Sequence, residues 1–211
     1  MHIIAIRHAE TQWNINRIVQ GKLDSPITDR GFRQIDSLLA AIKNYPISRI
    51  ISSPAGRACT TAQILAEHFG CELEINENLR EQNLGLLEGL SFEQAQYIYP
   101  DISSRVLAGE PTIAAPEGES AIEVAQRILA YLQFLTTKLL VTNSHNETLC
   151  CVTHGFALQA LIWKLKGGDL DTETTKYAHR NCSYSLIDIE GKQIEVVNWG
   201  IATHLLTVAE L

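Results

Sequence analysis

Ile3-Ile4-Ala5-Ile6-Arg7-His8-Ala9-Glu10-Thr11 opens the chain: four apolar residues run straight into an Arg-His pair. A second stretch, Leu149-Cys150-Cys151-Val152-Thr153-His154-Gly155, has the same form. Short apolar runs bounded by polar residues read as buried strands. Two histidines then stand just past the carboxyl ends of two strands, the edge at which open α/β sheets bind ligands. An imidazole beside a guanidinium suits nucleophilic attack on a phosphoryl group, with the arginine holding the anion.

Outward from these runs, strands alternate with helices. A polar loop is expected from Trp13 to Pro26. Thr28 then reads as an N-cap, with Asp29 at the positive helix end. Phe32, Ile35, Leu38, Leu39 and Ile42 form an apolar stripe, with Pro46 beyond the stop. Arg49-Ile50-Ile51-Ser52 is a short strand. Ser53-Pro54 opens a helix carrying Arg57 in its first turn and closed by Gly70, and Glu72-Leu73-Glu74-Ile75 is the next strand. Residues 85–118 are the least regular part, rich in Gly and Pro, with one short helical pattern from Phe92 to Tyr99; they read as a lid-like insertion. A long amphipathic helix is expected over Glu119 to Leu140, and another around Leu158 to Leu165, stopped by Gly167-Gly168. Tyr184–Ile189 and Gln193–Val197 flank Glu190-Gly191-Lys192 as a hairpin. The pattern predicts a three-layer αβα sandwich, a mostly parallel sheet with an antiparallel edge, built as a single domain over residues 1–211.

Composition sets the outer limits. At 211 residues, 45% hydrophobic and 19% charged, the chain has an ordinary globular make-up. A net charge of −7 argues against nucleic acid or an anionic membrane as partner, but not against a small anionic substrate. No apolar run approaches a membrane span. Strand-like sequence from residue 3 leads to the expectation of no signal peptide and a cytoplasmic location. The five cysteines include no C-x-x-C pair, and Cys150 and Cys151 must point to opposite faces of their strand, so they read as small buried hydrophobes. An unpaired sheet edge or the apolar tail from Ile201 to Leu211 offers a surface for a homodimer.

If the first four strands are parallel neighbours, Arg7, His8, Arg57, Glu81 and His154 line one rim. Arg57 sits badly with the dipole of its helix, which suggests a functional reason, the alternative being an ion pair with Glu10. Glu81 competes with Glu77, Glu88 and Glu10 for any acid role. His2, His68, His145, His179 and His204 read as structural or exposed. Trp13 and Phe156 are expected to wall the pocket.

The motifs also resemble those of the histidine phosphatase superfamily, the phosphoglycerate mutase-like proteins. They are Arg7-His8-Ala9-Glu10-Thr11-x-x-Asn14, Gln20-Gly21, Asp24-x-Pro26-Ile27-Thr28-x-x-Gly31, Ser52-Ser53-Pro54-x-x-Arg57-Ala58-x-x-Thr61-Ala62, Leu79-Arg80-Glu81 with Gly85 and Glu88-Gly89, Glu117-Gly118-Glu119-Ser120, and Val152-Thr153-His154-Gly155. The blocks stand in the family's order over most of the chain. Ala9 departs from the pattern, which usually has Gly there. The resemblance implies two-step phosphoryl transfer with His8 as nucleophile, its second ring nitrogen donating to a backbone carbonyl. Arg7, Arg57 and His154 would surround the phosphoryl group, Asn14, Gln20, Gly21 and Gly155 would help bind it, and Glu81 would protonate the leaving oxygen, a role that needs a proton near neutral pH. It implies no cofactor and no metal.

The resemblance leaves mutase and phosphatase open. Between Gln82 and Gln126 the one basic residue is Arg105, against Glu88, Glu93, Asp101, Glu110, Glu117, Glu119 and Glu123. Such a lid is expected to repel a second phosphate, favouring a phosphatase of the cofactor-independent branch acting on a small phosphomonoester. The alternatives are a 2,3-bisphosphoglycerate-dependent phosphoglycerate mutase, a phosphate-binding protein without turnover, and a metal-dependent hydrolase using His8, His154, Glu10 and Glu81.

Overall fold

A computed structural model describes residues 1–141, 147–191 and 193–208. His145, Lys192 of the hairpin turn and the last three residues of the apolar tail lie outside the described residues. One six-stranded sheet runs through the molecule in the order β3-β2-β4-β1-β5-β6. Its strands are β1 (His2–Arg7), β2 (Ile47–Ser52), β3 (Glu72–Ile75), β4 (Thr148–Thr153), β5 (Tyr184–Glu190) and β6 (Gln193–Ile201). The first four are mutually parallel, and the β5–β6 hairpin adds the antiparallel edge beside β1.

Alternating side chains of these strands feed two separate cores. Ile4, Ile6, Ile50, Cys150 and Val152 pack under α2 (Asp29–Ile42) and α3 (Gly56–Phe69). Ile3, Ala5, Ile51, Leu149 and Cys151 pack under α6 (Ala121–Val141) and α7 (Gly155–Leu165). The result is the αβα sandwich, with Cys150 and Cys151 on opposite faces as the strand period requires.

Local signals explain most boundaries. Thr28 Oγ1 accepts from Gly31 N at 2.9 Å and starts α2; Gly70 ends α3 in the left-handed conformation. Three expectations need correction. Phe32 is exposed at the margin of its stripe, while Ile35, Leu38 and Ile42 are buried. The loop after β1 contains a short helix, α1 (Gln12–Ile15), closed by a Thr11–Asn14 capping box. The irregular 85–118 segment holds two helices, α4 (Phe92–Ile98) and α5 (Pro100–Ala108). Pro100 does not break structure there: it occupies the first turn of α5, where its missing N–H is no loss. This segment has a small core of its own, in which Val19, Leu84, Leu87, Ala95 and Val106 are buried.

Candidate active site

The sheet register sets the site. Arg7 pairs with Thr153 across β1 and β4, and Ser52 pairs with Val152 across β2 and β4. Just past these ends, His8 N donates to Thr153 O at 2.9 Å and Ser53 N donates to Val152 O at 3.0 Å. The parallel strands therefore finish level, and the residues immediately beyond their carboxyl ends share one rim. A cavity of about 210 Å³ opens over it, lined by Arg7, His8, Asn14, Arg57, Glu81 and Gly155, with Gln20 and Gly21 on its flank. His154 lies fully buried beside His8, ring centroids 5.2 Å apart and edge-on. All the residues read from the sequence as one rim are brought together.

His8 has a defined tautomer. Its Nδ1 is 2.7 Å from Ala9 O, which can only accept, so Nδ1 carries the proton. Nε2 keeps its lone pair and accepts from Arg57 Nε at 3.3 Å. Burial holds the imidazole well below its usual pKa, reinforced by the charges of Arg57 and Arg7; the Ala9 carbonyl pulls weakly the other way.

Arg57 is 2% exposed and anchored on three sides. Its guanidinium donates to Leu23 O at 2.6 Å, Gly21 O at 2.9 Å and Asp24 Oδ1 at 3.1 Å. Asp24 also accepts from Arg57 N at 3.2 Å, so a carboxylate offsets the cation at the amino end of α3. The alternative pairing with Glu10 is not made. Glu10 turns away from the cavity, accepting from Thr28 Oγ1 at 2.9 Å and Arg30 Nη1 at 3.0 Å. Glycine is required at position 21: φ is +51°, and a Cβ there would stand 2.1 Å from Glu88 Oε1.

Arg7 is buried, a placement that opposes its charge, while the Glu81 carboxylate favours it. Its Nη1 donates to His179 O at 2.5 Å. A Cβ on Gly155 would lie 3.3 Å from Arg7 Cζ, so the small residue lets the guanidinium close on α7. His154 Nε2 is 2.7 Å from Ser53 Oγ. Burial, with Arg57 and His8 next, keeps this ring well below its usual pKa. Arg7 Nε and His154 Nδ1 are buried without a hydrogen-bond partner among the described residues. Buried donors left over in this way, beside Arg57 Nε–H, suit an oxyanion with several oxygens.

Of the four candidate acids, Glu81 alone lines the cavity. Its Oε1 accepts from Ala157 N at 2.8 Å and Gln82 N at 2.9 Å, and its Oε2 from Phe156 N at 3.3 Å. Glu77 pairs with Arg80, and Glu88 accepts from Leu84 N. Because Thr28 and Arg30 hold the buried Glu10 carboxylate away from the cavity, the four groups expected for a metal hydrolase do not converge; no metal-holding cluster occurs among the described residues. Phe156 walls the cavity as expected, whereas Trp13 is not among its lining residues.

Sequence reasoning missed the loop before β5. Asn181 Nδ2 donates to His8 O at 3.0 Å and to Asn14 Oδ1 at 3.1 Å. Asn14 Oδ1 also accepts from Thr11 N at 3.1 Å, which turns the Asn14 amide nitrogen away from that cluster. His179 is structural, as expected, its ring lying between Tyr177 O and Ser185 Oγ, but its carbonyl anchors Arg7. The sequence reading places no turn at the polar Arg180-Asn181-Cys182-Ser183 run; the structure has one there, with Cys182 at φ +56°.

The lid also differs from expectation. None of its seven acidic residues lines the cavity. Glu110 pairs with Arg105, Glu119 pairs with Arg127, and Glu123 accepts from Ser120. The wall that the lid turns to the cavity is apolar, made of Leu84 and Phe92 beside Ile18 and Val19.

A family model for the histidine phosphatase superfamily (branch 1) matches residues 3–202. "Probable phosphoglycerate mutase GpmB" of Proteus mirabilis is 33% identical over 99% of this chain and 97% of its own length. Among solved structures, Bacillus stearothermophilus YhfR superposes with a TM-score of 0.85 at 27% identity, covering 97% of this chain and 98% of that one. A mycobacterial glucosyl-3-phosphoglycerate phosphatase superposes at 0.80 with 25% identity, covering 94% and 98%.

Proposed function

The chain belongs to the histidine phosphatase superfamily, and from that premise we propose that it hydrolyses small phosphomonoesters through a phosphohistidine on His8. One observation carries this reading: His8 Nδ1 is committed to Ala9 O, which leaves Nε2 unprotonated at the cavity beside Arg57. Nε2 attacks phosphorus in line with the leaving oxygen. The P–O ester bond breaks as the N–P bond forms. Arg7, Arg57 and a neutral His154 hold the three equatorial oxygens, stabilising charge that is already spread over them. Glu81 gives its proton to the leaving alkoxide, then takes one from the water that cleaves N–P and releases phosphate. No step in this sequence calls for a metal.

Hydrolysis is favoured over transfer because the lid presents Leu84 and Phe92 where a second phosphate would need cations. The exclusion is one of apolar surface rather than of acidic repulsion. Two observations favour the mutase reading: the name of the Proteus mirabilis relative, and an adjacent lobe of about 210 Å³ that Lys22 and Arg80 line. A panel of phosphomonoesters, run on the wild type and His8→Ala with and without 2,3-bisphosphoglycerate, separates them. Phosphate release without bisphosphate, lost in His8→Ala, is the expected result. Bisphosphate-dependent interconversion of the two monophosphoglycerates, faster than hydrolysis, would overturn it. The small-molecule substrate, the cytoplasmic setting and homodimerisation through a free sheet edge complete the proposal; no helix among the described residues is long and apolar enough to cross a membrane.

A further inference from the structure

The Glu117-Gly118-Glu119-Ser120 block puts no side chain into either lobe of the cavity. It lies instead against the segment that carries Glu81, which has no strand to hold it. After β3 the chain makes one 3₁₀ turn, Glu77–Leu79, and then reaches Glu81 without a ladder. None of the carbonyls of Asn78, Leu79, Arg80 and Glu81 accepts from a backbone amide among the described residues. Carbonyls in a folded interior need partners, and here side chains supply them.

Thr153 Oγ1 donates to Leu79 O at 2.7 Å. Arg127, on α6, takes the other three. Its Nη1 donates to Asn78 O at 2.7 Å and to Arg80 O at 3.2 Å, and its Nη2 to Glu81 O at 3.4 Å. Nη2 also donates to Glu119 Oε1 at 2.8 Å, and the same oxygen accepts from Asn83 N at 2.9 Å, beyond the acid. The two terminal nitrogens of a guanidinium carry four hydrogens, and each of the four has an acceptor. Arg127 thus keeps no terminal donor for a ligand, and it lines neither lobe. A lysine ammonium, with its hydrogens around one atom, cannot span the same set.

What this clasp secures is one carboxyl group. The Glu81 side chain is tied to Gln82 N, Phe156 N and Ala157 N, but its reach into the cavity depends on where its own backbone stands. A general acid must lie within hydrogen-bond reach of the leaving oxygen, and a misplacement of about 1 Å can cost about a hundredfold. The clasp is half-buried, with the side chains of Arg127 and Glu119 21% and 23% exposed. Water can therefore take over the carbonyls if the guanidinium is removed, so the segment loosens while the chain stays folded.

We propose that Arg127 is a positioning residue for the phosphoryl transfer: with Glu119 as counter-ion, it holds the backbone around Glu81 so that the carboxyl group meets the leaving oxygen. This deepens the hydrolase reading and rests on it for the role of Glu81.

The experiment has two arms, each run on the wild type, Arg127→Met and Arg127→Lys. In the first, kcat/KM is measured for glycerol 2-phosphate, whose alkoxide needs a proton, and for p-nitrophenyl phosphate, whose phenolate leaves unaided. Arg127→Met is expected to lower the glycerol-to-nitrophenyl ratio about tenfold, and Arg127→Lys to lower it about threefold. A mere loss of folded enzyme lowers both rates alike and leaves the ratio unmoved. In a Glu81→Gln background, Arg127→Met is expected to change the ratio less than about twofold, since the acid it positions is gone. In the second arm, hydrogen exchange is followed at the amides of Gln82 and Ala157, which both donate to Glu81 Oε1. They are expected to exchange about tenfold faster in Arg127→Met, while the buried sheet amides of Ile50 and Val152 keep their rates. A ratio within about twofold of the wild type, a further fall of the ratio in the Glu81→Gln background, or Gln82 and Ala157 amides no faster than in the wild type would each overturn the assignment. Arg127→Lys carries both arms should the methionine variant not fold. If the wild type hydrolyses neither ester, the hydrolase reading fails, and the exchange arm alone decides for or against Arg127.

Discussion

Ser53 Oγ stands 2.7 Å from His154 Nε2, and the amide of Ala55 reaches the same oxygen at 3.4 Å. With that amide on one lone pair, the hydroxyl keeps both a hydrogen to give to the imidazole and a lone pair to receive from it. The proposed phosphoryl transfer needs the first arrangement: Ser53 donates to Nε2 and the neutral His154 ring carries its one proton on Nδ1, the nitrogen with no protein partner among the described residues. In that arrangement Ser53 sets the ring to donate. Ser53→Ala should lower kcat about tenfold to a hundredfold, the scale of one lost donor to transferring charge. Ser53→Thr, which restores the hydroxyl, should recover part of it. Equal loss in both variants would show that space, not the hydroxyl, is what matters at 53.

Asn181 acts through Asn14. By donating to both His8 O and Asn14 Oδ1, it fixes the amide of one and the backbone of the other. Asn14→Ala and Asn181→Ala should each raise KM several-fold, and the double variant should cost clearly less than the product of the two. A coupling of about 1 kcal/mol in the cycle is expected. Strict additivity would place Asn181 outside this relay.

Glu81 gives a prediction about leaving groups. A general acid matters most where the departing oxygen is basic. Glu81→Gln should therefore cost about a hundredfold or more on an alkyl phosphate and far less on p-nitrophenyl phosphate, whose phenolate leaves unaided. A uniform loss across both esters would assign Glu81 to holding the start of α7 through Phe156 N and Ala157 N instead.

Buried neutral histidines set a pH limit on stability. His8 and His154 lie well below 6.5, and burial brings His179 down to about 4. Above pH 6.5 both folded and unfolded states hold these rings neutral, so nothing is lost. Below it the unfolded chain takes protons that the folded chain refuses, and stability falls, for His179 until about pH 4 and for the other two through their own lowered range. Each ring contributes a slope of about 1.4 kcal/mol per pH unit inside its window. Urea midpoints should be flat from pH 8 to 7 and drop steeply from 6 to 5. A flat profile down to pH 5 would contradict the burial of these rings as neutral bases.

The elements that were legible in the sequence are those whose signals are local. Thr28 capped its helix because a hydroxyl three residues before Gly31 satisfies an orphan amide wherever the chain goes. Gly70 ended α3, and Gly191 took φ +59° just past the end of β5, for equally short-range reasons. Helix α5 was not legible because Pro100 is compatible with either a loop or a first turn, and only the packing of Val106 into the lid core selects the helix. Phe32 has the spacing of a core residue but falls at the edge of the buried stripe, a matter of how far the neighbouring layer extends.

By itself the sequence determined the order of the strands and of the helices α2, α3, α4, α6 and α7, the position of Arg7, His8, Arg57, Glu81 and His154 after strand ends, and the motif series that marks the family. Each depends on residues close together along the chain. Only the tertiary structure decided which groups hold those residues in place. Asn181 reaches His8 across 173 positions, Ser53 reaches His154 across 101, and Glu10 turns away toward Thr28 and Arg30. Hydrogen bonds of a few ångströms are formed by the sheet register and by loops folding over it, and no spacing in a linear chain encodes that distance.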